Sequence, residues 1–219
     1  MNPYSLLSRL PFFLGMSSSE FDDVIARVRL GFSKVAMGEC IVVEGEPVEG
    51  FVFVLNGGVE TVAYSDDHGF SIEEQMPLPT VLQPERLFGL TQRYSMTFRA
   101  TDDCQLLTIA KPEVMKLMTN SEVFRLNVLN ILSTQTQRMQ HQPWRKKAEG
   151  IRRKIAVFVA DHSQRPAGRK VLNIDMVRLG HEISESRLNV SRELNRMHAE
   201  GLIELKRERI LIPHLEQLL

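Results

Sequence analysis

The sequence predicts an α+β protein. We expect an N-terminal antiparallel β-roll of the jelly-roll type with flanking helices, then a long helix, then a C-terminal domain of helices and a hairpin. Between residues 32 and 109, short runs rich in β-branched and aromatic residues alternate with glycine-containing turns, the pattern of an antiparallel barrel or jelly roll. After Pro112 the apolar residues recur at helical spacing instead, which indicates amphipathic helices.

The composition is that of an ordinary folded protein. Of the 219 residues, 43% are hydrophobic and 25% are charged, so the chain has room for two domains and is not disordered. The longest apolar runs, such as residues 51–55, are far shorter than the roughly 20 residues of a membrane span. The N-terminus lacks the pattern of a signal peptide. We therefore expect a cytoplasmic protein with no membrane partner.

The sequence contains two cysteines, Cys40 and Cys104. Two thiolates are too few for a four-cysteine iron–sulfur cluster. Reduced cysteines usually behave as small core residues, so we expect both to be buried.

The first predicted elements are helical. Residues 4–29 are expected to form helices with a break at Pro11, and Ser17–Ser19 offer N-caps for the second one. Further on, Asn56-Gly57 lies between two β-rich runs, and this dipeptide favours the tight turn of a two-residue hairpin. The sequence therefore predicts a hairpin at that point. The predicted strands are residues 40–43, 51–55, 59–64 and 105–109.

A long helix is predicted over residues 121–140. Val123, Leu126 and Leu129 line one of its faces, at a spacing that suits a coiled-coil seam between two chains. The sequence therefore predicts a homodimer. A second apolar flank, which we expect to pack on the β-roll, consists of Phe124, Val128, Ile131 and Leu132.

A hinge is predicted where the long helix ends. Residues 140–147 contain Pro143, which is incompatible with a helix interior. The predicted domains are a β-roll sensor over residues 1–120, a dimerisation helix and hinge over 121–142, and a winged helix-turn-helix over 143–219.

Charge is unevenly distributed along the chain. Residues 141–219 contain 16 Lys and Arg against 10 Asp and Glu, a net charge of +6, whereas the preceding residues have 11 against 17. A basic C-terminal third on an acidic body is typical of a DNA-binding domain attached to another domain.

Residues 173–202 have the features of a helix-turn-helix. Asp175 can cap a first helix, and Gly180 provides the small residue that is needed where two helices cross. Residues 184–186 form a short turn, and Val190 is the apolar residue of the second helix that faces the first. A basic hairpin follows over residues 202–212, which predicts a wing.

The remaining face of the second helix is polar near its N-terminus, the end that enters the major groove. Arginine suits a bidentate contact to guanine and asparagine one to adenine, while Ser186 can cap the helix and direct its free N–H groups at a phosphate. We therefore predict sequence-specific binding of double-stranded DNA. The predicted DNA-binding residues are Ser186, Arg187, Asn189, Ser191 and Arg192 of the helix, and Lys206 and Arg207 of the wing.

The whole chain resembles the Crp/Fnr family of bacterial transcription regulators. The likeness rests on the turn pattern Gly38-Glu39, Gly45-Glu46-Pro47 and Gly58-Val59 and on the segment from Ser186 to Arg192. By that resemblance, Arg187 and Arg192 match the two base-contacting arginines of the family, whereas Leu188 stands where several members have an acidic residue. The resemblance implies a homodimer on an inverted-repeat site, contact with RNA polymerase, and an effector in the β-roll.

The sensor departs from the family pattern. Members that bind cyclic nucleotides carry Gly-Glu-Leu and, after a loop, Arg-Ser; the arginine neutralises the cyclic phosphate and the glutamate accepts a hydrogen bond from the ribose. Here Leu90 stands at the carboxylate position and Tyr94 at the arginine position, with Arg93 one residue away. We therefore predict that cyclic AMP does not bind, and the effector and any cofactor are unknown. The predicted effector pocket comprises Phe88, Gly89, Leu90, Arg93, Tyr94 and Ser95.

Two alternatives stay open. A haem- or redox-linked sensor of the same family is one, since His68 and His141 offer single ligands. A metal-dependent jelly-roll enzyme is the other, but such enzymes need two or three histidines around one metal, and the β-roll segment contains only His68. We therefore predict no enzymatic activity and no metal site.

Overall fold

The structure is a computed structural model that describes residues 6–141 and 148–219. The described residues form two compact units. One, here called the N-terminal unit, consists of residues 6–59 and 76–141, and the C-terminal unit contains the rest.

Residues 60–75 belong to the C-terminal unit, together with residues 148–219. They lie between the two stretches of sequence that form the N-terminal unit. A division of the chain into consecutive domains could not predict this arrangement. The domain limits drawn at residues 120 and 142 stay a prediction, and the predicted hinge at Pro143 lies outside the described residues.

The N-terminal unit is built on an antiparallel sheet, as predicted. Its long strand β6 (Thr97–Ala110) pairs with β1 (Gly31–Val35) and with β2 (Cys40–Val42). The other neighbour of β6 is β3 (Gly50–Tyr64), which also pairs with the short β5 (Thr80–Val81).

The hairpin predicted at Asn56-Gly57 is wrong, because β3 runs through it without a turn. Gly57 has a φ of +100°, and a Cβ added there would lie 2.4 Å from the carbonyl oxygen of Asp103. The side-chain amide of Asn56 meanwhile bonds to Gln105, with its Oδ1 3.2 Å from the Gln105 backbone N. The glycine therefore serves the close approach of β3 to β6, and the asparagine ties the two strands together.

Two helices begin close to the positions that the sequence indicates. In α1 (Ser18–Arg27), Ser17 and Glu20 form a reciprocal capping box, which satisfies two backbone N–H groups at the helix start. Pro112 lies in the first turn of α2 (Lys111–Asn120), where its missing N–H removes no helical hydrogen bond. The long helix α3 (Glu122–His141) follows.

An aromatic cluster fixes α3 to the unit. The ring of Phe124 is 5.2 Å from that of Phe13, and Phe12 lies 4.8 Å from Phe51 of β3, measured between centroids. Phe124 and Val128 are fully buried. One flank of the long helix therefore packs on the β-roll.

The C-terminal unit contains a second antiparallel arrangement of strands. Its order is β4 (Ser71–Gln75), β7 (Lys170–Asn173), β9 (Arg209–Ile212) and β8 (Glu204–Lys206). The last residues of β3 pair with β4, so that Glu60 lies opposite Gln75.

The helices of the C-terminal unit are α4 (Ile151–Asp161), α5 (Met176–Glu182) and α6 (Arg187–Ala199). They bury their apolar residues with the inner face of the sheet in one core. Ile155, Leu179, Leu194 and Ile212 are fully enclosed there.

Among the residues that the structure describes, no helix is long and apolar enough to cross a membrane.

Candidate nucleic-acid interface

The crossing of α5 and α6 depends on Gly180. A Cβ built on this glycine would lie 2.7 Å from the carbonyl oxygen of Glu185, and the Glu185 N–H donates to the Gly180 carbonyl at 2.8 Å. No larger residue fits without moving the backbone. The small residue predicted at the crossing is therefore where the two helices meet.

The turn between the two helices contains one residue in a left-handed conformation and one that forms an ion pair with α4. Ser184 adopts a φ of +55°, a left-handed conformation that favours glycine and strains other residues. Lys154 of α4 forms an ion pair of 2.6 Å with Glu185. The hydrogen bond from this lysine lowers the pKa of the Glu185 carboxyl, so the pair is charged at neutral pH.

The second helix has the two faces expected of it. Val190, Leu194 and Met197 are fully buried against the core, and Ser186 accepts a hydrogen bond from the Asn189 N–H at 3.2 Å. The helix N-terminus is thus rigidly placed. The predicted helix residues lie together on its first two turns, with Ser186, Arg187, Asn189 and Arg192 exposed and Ser191 half-buried.

The tip of the β8–β9 hairpin carries the other predicted cations. Lys206 is exposed, and the side chain of Arg207 is 95% accessible to solvent. A surface groove lies between the start of α6 and this tip: its walls include Arg187 and Glu208, with Asp175, Met176 and Val177 of the α5 start. Of the seven predicted residues, Arg187 lines this groove, and Lys206 and Arg207 directly precede its other wall residue, Glu208.

Two exposed apolar residues on this face were not predicted. Leu188 is 59% exposed and Val177 is 51% exposed, and neither packs on the core. The sequence signal was present for Leu188, since it lies between Arg187 and Asn189. A leucine is usually buried, so the residue type alone did not show that Leu188 is exposed on the surface.

Other basic residues of the unit are engaged in the scaffold. Arg152 of α4 contacts Glu193 at 3.2 Å and Glu200 at 2.7 Å, and Arg196 contacts Glu193 at 2.7 Å. The ion pairs of Arg152 join α4 to α6 and its C-terminal end, whereas that of Arg196 lies within α6. Net positive charge alone therefore does not identify the nucleic-acid face.

The six residues predicted to line an effector pocket are not brought together. Leu90 is fully exposed, whereas Tyr94 is buried. Arg93 donates from Nη1 to the carbonyl oxygen of Gly45 at 2.6 Å, so its guanidinium is attached to the adjacent turn. Phe88 lies beneath the ammonium group of Lys111, 5.1 Å from its Nζ.

The remaining pocket residues have structural contacts. Ser95 donates its N–H to Gln83 Oε1 at 2.9 Å and contacts Gln83 Nε2 through its hydroxyl; Gly89 has a φ of +92° in an exposed loop. Burial, together with the nearby Glu46 carboxylate, raises the pKa of Tyr94 to about 12. A neutral phenol cannot replace the arginine that neutralises a cyclic phosphate.

The cysteine prediction is half right. Cys104 is buried and donates to the Gly58 carbonyl, and burial raises the pKa of its thiol. Cys40 is exposed, because it lies on β2 where its side chain faces solvent. Within residues 6–141 and 148–219, no group of three or more His, Cys, Asp or Glu is arranged to hold a metal ion.

Comparison with known proteins supports the assignment of the N-terminal unit. Residues 32–121 match the cyclic nucleotide-binding domain family. No curated protein matches the sequence. The match covers most of the β-roll and includes residues 60–75.

Solved structures of similar fold span most of the chain. The Catabolite Activator Protein of Thermus thermophilus is 17% identical, with a TM-score of 0.52 over 95% of this chain and 96% of that one. A protein described as a transcriptional regulator of the crp/fnr family, from Eubacterium rectale, is 18% identical with a TM-score of 0.51 over the same shares of the two chains. The sensor domain of the transcriptional regulator DNR from Pseudomonas aeruginosa is 18% identical, with a TM-score of 0.51 over 68% of this chain and 93% of that one.

The fold is thus Crp/Fnr-like, and the resemblance seen in the sequence is confirmed.

Proposed function

We propose that the protein is a sequence-specific DNA-binding transcription regulator whose C-terminal unit is a winged helix-turn-helix. The main support is the N-terminus of α6, where an exposed polar face stands on a fully buried apolar one. A helix that binds in the major groove needs both faces, because the side chains that contact base edges must be held in place by packing on the opposite face.

Each residue of the face has a role in this proposal. Arg187 donates two hydrogen bonds to a guanine and Asn189 pairs with an adenine. Ser186 and the free N–H groups of the helix start bind a phosphate, and Lys206 and Arg207 contact phosphates from the wing. Arg192, one turn further along α6, reaches a second base.

Leu188 adds a specificity element. It is 59% exposed in the first turn of α6, where an apolar side chain can contact the methyl group of a thymine. Members of the resembling family often have an acidic residue there, which would accept a hydrogen bond from cytosine instead. We therefore propose a half-site that differs from theirs at this base pair.

We propose that the protein acts as a homodimer through α3. Leu126 and Leu129 are 49% and 48% exposed, whereas Phe124 and Val128 on the other flank are buried. A second copy of the same helix would cover the exposed flank. A two-fold axis then requires an inverted-repeat DNA site with half-sites about 34 Å apart.

The regulator responds to a small-molecule effector of unknown identity that binds in the N-terminal unit. This effector is not cyclic AMP. Contact with RNA polymerase is proposed from the resemblance alone. The fold's solved neighbours include proteins that are described as transcriptional regulators, which is consistent with the same role here.

Selection of binding sites from a random DNA library tests the proposal. The purified protein is expected to enrich an inverted repeat with a guanine and a thymine in each half-site. The Arg187→Ala variant serves as the matched control and should lose the preference for one base pair per half-site. A pool without an inverted repeat, or an identical consensus from the variant, would rule the proposed interface out.

A further inference from the structure

His181 lies in the last turn of α5, and its side chain is exposed. It is not among the residues predicted to bind DNA. Within the parts of the chain that the structure describes, the imidazole of His181 forms no hydrogen bond or ion pair. The other histidines of residues 148–219 each have a hydrogen-bond or ion-pair partner, namely His162, His198 and His214. The ring of His181 is therefore available to a partner from outside the protein.

A second surface groove, here called the turn groove, lies where α5 meets the turn and the start of α6. Its walls include His181, Ser186 and Arg187. A Cβ added to Gly180 would lie 3.5 Å from the backbone N of Arg187, so the α5 backbone next to His181 lies against the start of α6. His181 therefore shares one groove with two of the residues that are proposed to bind DNA.

The carboxylates nearest to His181 are paired with cations. Glu185 lines the turn groove and forms an ion pair of 2.6 Å with Lys154 of α4. Glu182, which follows His181 in the chain, contacts Arg178 at 2.7 Å. Neither carboxylate therefore competes strongly with an external anion for the imidazole.

The two arginines nearest to His181 differ in their partners. Arg178 contacts Asp67 at 2.7 Å in addition to its pair within α5, so its guanidinium is occupied. The guanidinium of Arg187 has no ion-pair partner among the described residues and is exposed. The groove is thus lined by one free cation and by one histidine that can become a second cation.

We propose that His181 binds a phosphate of the DNA backbone through its protonated imidazole, so that the affinity for DNA falls as the pH rises. This role rests on the proposed function and adds a pH dependence to it. The phosphate is the one assigned to Ser186, whose hydroxyl is neutral, so His181 supplies a charge that this contact otherwise lacks. Arg187 keeps its proposed contact with a base.

The chemistry of the imidazole gives the sign of the effect. A protonated imidazole donates hydrogen bonds from both ring nitrogens and carries a positive charge, and histidine is the side chain whose charge changes between about pH 5 and pH 8. A bound phosphate favours the protonated ring. By linkage, protons then favour the bound DNA to the same extent.

Titration of the full-length protein with the selected DNA, at about pH 6 and about pH 8 and one salt concentration, tests this role. The wild type is expected to bind about tenfold more tightly at the lower pH, since the proposed dimer contributes two such histidines. His181→Gln cannot become charged and should lose most of this difference through weaker binding at the lower pH. His181→Lys carries a fixed charge and should bind tightly at both pH values.

His214→Gln is the matched control. His214 is also exposed, but its ring contacts Glu216 at 3.4 Å and lies outside the turn groove, so this variant should keep the wild-type pH dependence. The log–log salt slope gives a second measurement, because it should be steeper at the lower pH by about one unit per half-site in the wild type but not in His181→Gln.

The two proposals fail in different ways. A wild-type protein that binds no DNA at either pH overturns the proposed function. If the wild type binds DNA and His181→Gln keeps its full pH dependence, or His181→Lys weakens with pH as the wild type does, only the role of His181 is overturned.

Discussion

The C-terminal unit and the β-roll differ in how well a sequence motif predicts which side chains lie together on the surface. In the C-terminal unit, the residues named from one short segment lie together on the first turns of α6. In the β-roll, the six residues named from the phosphate-cassette segment separate into exposed, buried and backbone-bound side chains. A motif on a single helix has its geometry fixed by the helix, whereas a loop motif takes its geometry from whatever packs around it.

Glycine substitutions give the largest expected effect in this comparison. Gly57→Ala should destabilise the N-terminal unit by about 3 kcal/mol or more, because the new Cβ meets backbone atoms and the φ is positive. Gly89 also has a positive φ but nothing lies within 4 Å of an added Cβ, so Gly89→Ala should cost about 1 kcal/mol.

Denaturant unfolding of the two variants measures the difference. Equal losses of unfolding free energy would mean that Gly57 is required only for its conformation and not for the contact between β3 and β6.

The exposed flank of α3 can be tested with a charge. Leu129→Glu should convert the proposed dimer to monomers at micromolar concentration and weaken DNA binding at least tenfold, since the carboxylate would be buried without a partner in the seam. Light scattering and a DNA titration measure both effects.

Thr119→Glu, on the exposed surface of α2, is the matched control and should remain dimeric. A wild-type protein that is monomeric at micromolar concentration contradicts the seam.

The proposed function assigns base reading and phosphate contact to different residues of the C-terminal unit. Arg187→Ala should cost about 1–3 kcal/mol on the selected site and change binding to random DNA little. Lys206→Ala should weaken binding to both and lower the log–log salt slope by about one unit. Titrations on selected and random duplexes at several salt concentrations distinguish the two. If both variants change both duplexes equally, the division of roles is wrong.

The smallest expected effect is that of cyclic AMP on the β-roll. No heat of binding should appear in calorimetry at physiological nucleotide concentrations, because Leu90 is in solvent and the Arg93 guanidinium is bonded to Gly45. Arg93→Ala is the variant to compare. Micromolar affinity that disappears in this variant would show that Arg93 leaves the turn to neutralise the cyclic phosphate.

Local patterns were enough to predict much of the molecule. Ser17, Asp175 and Ser186 begin their helices as predicted, because an N-cap acts on backbone groups within three residues of itself. The crossing at Gly180 also follows from short-range spacing.

The same local patterns failed where the partner is distant. Asn56-Gly57 has the composition of a turn, but its neighbours are Gln105 and Asp103 on another strand, and these decide that β3 continues. Cys40 was expected in the core because of its residue type, yet a short strand exposes it.

By itself the sequence determined the antiparallel roll, the long helix, and a basic helix pair whose second helix begins with a polar face. Only the tertiary structure decided that residues 60–75 belong with the C-terminal unit, where Glu74 meets Lys170 across 96 positions of sequence. Caps, turns and helical faces depend on residues within one or two turns, which the sequence displays directly. Strand pairing and ion pairing join residues that are distant along the chain, and any of several acidic segments could have matched the same lysine.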